Sequence, residues 1–370
     1  MSNLLVVIIS FFVMLALAAG FIYYLSKRCK LFFPNIPQKA FIGGFIAILV
    51  IIILNSTLFS IITHPVLIAI GVIGVIATSL LIFFLFSLVV IDVLNLIFKF
   101  NPKIRRLLSI GLGVLFAVYG LWNAHTVKVK EITIPIKGLT HEIRAVHISD
   151  VHLGNYWGKR QMDKIVGNIK TLNPDVIFHT GDLFDSKAHF GEGKDVLSAF
   201  RSLNVPHYFV NGNHDIIVGE QEVKNQLKKA NATVLYNEIA NFGELQIIGL
   251  NNMQSDENSF DPSTQSGTET IKSVLENMII DNNRPSIVLH HRPDGMKYMH
   301  EKGIDLFLAG HTHAGQMFPF SLFMKINFGK FSYFKYETMD IHVSEGTGAV
   351  IPIRFGTNNI IALIRLVPKI

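Results

Sequence analysis

Two hydrophobic patterns divide the chain near residue 126. Ahead of that point the apolar residues run on without interruption: residues 4–25, 41–62, 65–91 and 107–122 contain no charged side chain. A bilayer core of roughly 30 Å takes about 20 apolar residues as a helix. The first three runs meet that length, and the shorter fourth ends on Trp122, a residue type that suits a membrane interface. Runs with no polar face have nothing to show to water, so soluble core helices account for them poorly. The pattern predicts an N-terminal four-helix transmembrane domain over residues 1–126.

From Val127 onward the period shortens. Val127 to Ile136 alternates as a strand does, and residues 143–149, 176–180, 207–210, 245–250, 286–290, 305–309, 341–344 and 360–366 are further short apolar stretches. Residues 160–172, 194–203 and 219–230 read as helices between them. Residues 251–268 are polar and turn-rich, as a surface loop is. Strands alternating with helices predict an α/β domain over residues 127–370.

Charge sharpens the division. Of the formal net charge of +6, residues 1–126 hold +7, from eight Lys or Arg against the single acid Asp92, and the remainder holds −1. The basic residues lie mainly in two loops, 26–40 and 98–106. Lys and Arg prefer the cytoplasmic side. Four spans with both loops inside leave the N-terminus and residues 127–370 outside, in a multi-pass protein of the plasma membrane. A cleaved signal peptide ending near Ala18-Ala19 competes, but nothing basic precedes its apolar run. Asp92, at the cytoplasmic end of the third run, reads as reaching the interface rather than marking an ion path. The near-neutral second part offers no basic stripe, which disfavours nucleic acid as a substrate. A single cysteine, Cys29, excludes a disulfide scaffold.

Thirteen of the fifteen histidines lie in the second part. Five polar clusters follow its short strands: Asp150-Val151-His152, Gly181-Asp182-Leu183-Phe184-Asp185, Gly212-Asn213-His214-Asp215, His290-His291-Arg292-Pro293 and Gly310-His311-Thr312-His313. In open α/β sheets the carboxyl ends of strands converge on one crevice, so these segments can meet. Asp and His together suit Mn, Fe or Zn. In extended chain, residues two apart share a face, which pairs Asp150 with His152 and His311 with His313. One carboxylate can bridge two ions, and Asp182 is placed for that. The adjacent His290 and His291 point to opposite faces of a strand, so only one of them reaches a metal. His147 and His179, inside strands, read as packed residues.

Taken in order, these clusters resemble the calcineurin-like metallophosphoesterase superfamily over about residues 127–370. Ser149 to Gly154 and Leu308 to Gln316 are the most specific stretches. They look like the branch of bacterial membrane-associated or exported phosphohydrolases, which Ser344 to Gly348 and Arg354 also fit. The resemblance implies a β-sandwich flanked by helices and hydrolysis of a phosphate ester or pyrophosphate by metal-activated water. It implies two divalent or trivalent metal ions, Mn, Fe or Zn. Asp150, His152, Asp182 and His313 would hold the first. Asp182, Asn213, His291 and His311 would hold the second, the ligand histidine lying two residues before Pro293. His214 would stabilise the transition state or protonate the leaving oxygen, with Asp215 orienting it and Asp185 a structural hydrogen-bond partner.

The substrate is expected to be a phosphorylated small molecule or a lipid-linked phosphate. Residues 318–336 place Phe318, Phe320, Phe323, Phe328, Phe331, Tyr333, Phe334 and Tyr336 among Lys325, Lys330 and Lys335, directly after the last histidine motif. Such a run can pack as core, or rest as a rim on the lipid bilayer.

Overall fold

A computed structural model describes residues 2–58, 65–190, 195–259, 263–264, 269–318, 320–328 and 332–369. The chain divides into two compact units, Met1–Val118 and Tyr119–Ile370.

The first unit is helical: α1 (Ser2–Phe32), α2 (Gln38–Leu58), α3 (Pro65–Phe98) and most of α4 (Pro102–Ala124). Among the described residues, Ile68–Phe98 and Pro102–Ala124 are long and apolar enough to cross a membrane. The expected runs 4–25 and 41–62 fall on α1 and α2, and residues 59–62 lie outside the described residues. Asp92 is paired with basic side chains. Its Oδ1 accepts from Arg28 Nη2 and Arg105 Nη2, both at 2.6 Å, and its Oδ2 accepts from Tyr24 at 2.6 Å. A carboxylate among apolar helices needs paired cations, and here they come from the two basic segments. Arg106 also donates to the Leu31 carbonyl at 2.9 Å. Both basic segments therefore lie at one end of this unit.

The division falls inside α4, ahead of the boundary expected at residue 126. The last turn of α4 is bonded into the second unit. The buried Asn123 amide donates to the carbonyls of Arg354 (3.2 Å) and Thr357 (2.7 Å), and the Arg354 N–H donates to the Gly120 carbonyl at 3.0 Å.

The strands of the second unit are β1 (Val127–Ile136), β2 (Ile143–Ile148), β3 (Val176–Thr180), β4 (His207–Val210), β5 (Thr233–Val234) and β6 (Glu238–Phe242). They continue as β7 (Leu245–Gly249), β8 (Ser286–Leu289), β9 (Leu306–Ala309), β10 (Ser332–Tyr336), β11 (Met339–Val343) and β12 (Asn359–Pro368). Between them run α5 (Lys159–Thr171), α6 (Ser198–Arg201), α7 (Asn213–Lys229), α8 (Ile271–Asn277), α9 (Met296–Glu301) and α10 (Phe320–Phe328).

The strands form two six-stranded sheets, ordered β1-β12-β2-β3-β4-β5 and β10-β11-β9-β8-β7-β6. β2, β3, β4 and β5 are parallel neighbours in the first, and β7, β8, β9 and β11 in the second. Alternation along each strand feeds two cores. Val176 and Phe178 of β3 face Ile287, Leu289, Leu306 and Leu308 of the other sheet, whereas Ile177 faces Ile165 and Ile169 of α5. Behind the second sheet, Ile248, Val288 and Phe307 pack on Ile271 and Leu275 of α8. The result is an α/β sandwich with helices on both outer faces. The long parallel runs put five strand ends on one edge.

Candidate metal centre

Each candidate ligand, and His214, sits two to four positions beyond a parallel strand. Asp150 and His152 follow β2, and Asp182 follows β3. Asn213 and His214 follow β4 and open α7, His291 follows β8, and His311 and His313 follow β9. The backbone turns sharply there. Asp150, His152, Asp182, His311 and His313 all have positive φ, from 48° to 70°. Side-chain-bearing residues rarely occupy that region, at a cost of about 1–3 kcal/mol each. The surroundings enforce it: the Asp150 N–H donates to the Gly181 carbonyl at 2.9 Å, and the His152 N–H to the Asp182 carbonyl at 3.1 Å. Close approach needs glycine at two points. A Cβ on Gly212 would collide with Asp182, and one on Gly310 with Ser149 and the Asp150 carboxylate.

Two groups of ligand-type atoms result. In the first, His152 Nε2 lies 2.8 Å from His313 Nε2, which lies 3.3 Å from Asp150 Oδ1. In the second, His291 Nε2 lies 3.2 Å from Asp182 Oδ2 and 3.2 Å from His311 Nδ1. Asn213 Oδ1 is 3.1 Å from the same His311 nitrogen. Asp182 Oδ2 is also 3.9 Å from His152 Nε2, so Asp182 stands between the groups. Asp150, His152, Asp182 and His291 are buried, while Asn213, His214 and His311 are half-buried and form the open side.

The residues fit cations. His291 Nδ1 faces the Thr180 carbonyl at 2.7 Å, which can only accept, so this nitrogen carries the proton. His152 Nδ1 likewise faces Asp185 at 2.5 Å. Both Nε2 atoms are then lone pairs turned on carboxylates, or imidazolium N–H groups. With lone pairs there, a metal ion would supply positive charge to every neighbour at once. The charges around the site act on one another. Burial opposes charge on His291, yet Asp182 and Asp150 push it up to about 9. Against burial, Asp182 and Asp185 carry His214 up to about 10. Burial raises Asp182 too, but His291 and His214 hold it well below the usual carboxylate range.

One expected role is reversed. Asp215 does not hold His214. Its carboxylate accepts from the backbone N–H groups of Leu183 (3.0 Å), Phe184 (3.1 Å) and Gly212 (3.0 Å). Burial and the nearby Asp182 push it up to about 7. It sits at the third position of α7, where a carboxylate turns back to the helix start. His214 Nδ1 is instead 2.8 Å from Asp185 Oδ1. His290 turns away from both groups, with Nδ1 2.8 Å from the Arg292 carbonyl. His147 lies between His342 (2.8 Å) and Thr180 (2.9 Å), and His179 stacks on His207. Arg354, legible only as part of a motif, is fully buried behind His313, its Nη2 3.3 Å from His313 Nδ1. Nothing local in the sequence marks that contact.

Carboxylates and imidazoles gathered at the strand ends of two packed sheets define a metallophosphoesterase type of site. Residues 143–315 match the family model for calcineurin-like phosphoesterases. Those residues therefore resemble a calcineurin-like phosphoesterase domain, a family of metal-dependent phosphoester hydrolases. It is 32% identical to an uncharacterized metallophosphoesterase of Helicobacter pylori, over 65% of this chain and 64% of the relative. It is 29% identical to a metallophosphoesterase of Campylobacter jejuni, over 67% of this chain and 66% of the relative. A Bos taurus protein named as a transmembrane protein with metallophosphoesterase domain is 29% identical, over 69% of this chain and 60% of the relative. The chain thus spans under two thirds of the length of these relatives.

Proposed function

We propose that this chain is a multi-pass protein of the plasma membrane whose second unit hydrolyses a phosphate ester or pyrophosphate outside the cytoplasm. The observation that carries the hydrolytic reading is Asp182, set between two groups of ligand-type atoms. Asp150, His152, Asp182 and His313 would hold one ion, and Asp182, Asn213, His291 and His311 the other. When bound, two divalent or trivalent ions, whether Mn, Fe or Zn, supply Lewis-acid charge and a nucleophile at neutral pH. The chain's own residues do the rest. His214, on the open side, is held by Asp185 with a proton to give to the leaving oxygen. Asp185 also fixes the His152 ring, and Arg354 backs the His313 ring.

The membrane reading is supported by four uncharged runs, two span-length helices among the described residues, and the naming of the bovine relative. The meeting of both basic segments at one end of the helical unit supports a cytoplasmic face there. A membrane-impermeant aryl phosphate given to intact expressing cells tests activity and orientation together. Intact cells should hydrolyse it, and cells carrying Asp182→Asn should not. Hydrolysis released only by lysis would contradict the orientation, and equal rates with Asp182→Asn would contradict the site.

A further inference from the structure

Exposed aromatic residues near the end of α4 are linked through Phe355 to the segment that leads into α10. Near the end of α4, Tyr119 and Trp122 are 39% and 58% exposed, with ring centroids 6.1 Å apart. The Tyr119 ring meets Phe355 edge-on at 5.6 Å. Phe355 is paired through its backbone with both Gln316 (3.1 Å) and Phe318 (2.9 Å). Two residues on, α10 begins at Phe320. Phe323, Phe328 and Phe331 of the expected rim lie outside the residues whose side chains are described.

α10 itself is poorly covered. Phe320 is 59% exposed and Leu322 is 52% exposed. Residues two apart project from nearly opposite sides of a helix. Apolar side chains exposed on two sides of one short helix suit cover by an apolar partner. Tyr119 and Trp122 lie near the end of a helix, Pro102–Ala124, that is long and apolar enough to cross a membrane. Trp and Tyr at the end of such a helix belong at the headgroup level. The exposed Lys325 on α10 suits anionic headgroups.

We propose that the α10 patch of Phe318, Phe320 and Leu322 seats in the headgroup region of the bilayer beside the end of α4, and that the site acts on a phosphate carried by a lipid. The substrate part rests on the hydrolytic reading above; the seating does not. The patch adjoins the site twice. The turn bearing His313 runs into Met317 and Phe318, and Arg354, which backs His313, precedes Phe355. A bilayer covering the patch is therefore joined to the site through the chain segment from His313 to Phe318.

The test uses the full chain in vesicles of phosphatidylcholine and phosphatidylglycerol. Cys29→Ser with Phe320→Cys carries an environment-sensitive nitrobenzoxadiazole label. A matching label at Ile279→Cys, where the native side chain is 93% exposed, is the reference. Nitroxide-bearing lipid should quench the label at 320 several-fold more than the label at 279. Equal quenching would overturn the seating, and so would an unquenched but blue-shifted label, which would mean cover by protein or by a second copy. In the second arm, Phe320→Ser with Leu322→Ser should lower the ratio of phosphatidate to aryl phosphate hydrolysis about tenfold. An unchanged ratio would overturn the lipid-borne substrate. Absence of metal-dependent hydrolysis of both esters in the unmutated chain would instead overturn the hydrolytic reading and leave the quenching result standing.

Discussion

Asp185 serves two imidazoles at once, His152 at 2.5 Å and His214 at 2.8 Å. Burial alone would raise its carboxyl, but those two rings bring it down to about 2. It is therefore ionised across the working range and fixes both rings. Asp215, next in sequence to His214, is committed to three backbone N–H groups instead. The two carboxylates make opposite predictions. Asp185→Asn should lower kcat about 10²-fold, the lower end of what a positioned general acid contributes, with an unchanged melting midpoint. Asp215→Ala should act first on stability, because each buried donor left unpaired costs about 1–3 kcal/mol. Paired thermal melts and steady-state rates would separate them. The reverse result would restore Asp215 as the partner of His214.

The sheets carry a second population of histidines, away from the open side. His207 on β4 stacks between Phe200 and His179, and His342 on β11 packs against His147. Burial brings His207 down to about 3, and burial with the nearby Lys130 brings His342 to about 3. Both are neutral in the fold. A histidine depressed in this way stabilises the fold above its unfolded pKa of about 6.5. That contribution is lost as pH falls toward about 3, because the unfolded chain takes up the proton more readily. The melting midpoint should drop across that window. His207→Phe, which keeps the stack and removes the titration, should flatten the drop, and an unchanged slope would contradict this account of the sheet. The strands themselves were legible because short apolar runs bounded by polar clusters have few other uses. The start of α7 was not. Asn213 and His214 have the composition of a turn, and Gly219, at φ 125°, breaks the helix where the sequence suggested it began. α8 and α9 are short, and their pattern is set by the sheet they cover.

At the scale of the molecule, hydrophobic pattern and charge separate a helical N-terminal part from an α/β part, and the structure moves their division into α4. The sequence cannot locate that division because the end of α4 is apolar on both readings. Its ties to the second unit come from Arg354 and Thr357, more than 200 residues away. The site was more legible than the fold around it, since each candidate ligand closes a strand and carries its own short motif. The exception is the partner of His214, where sequence adjacency suggested Asp215 and the turn after β3 brought Asp185. The central claim is that Asp182 joins two ion sites in one hydrolytic centre. Elemental analysis of the purified full-length protein tests it most directly. About two transition-metal ions per chain are expected, with Asp182→Asn losing both and keeping its secondary structure. One ion per chain, or a full complement retained by Asp182→Asn, would contradict the account.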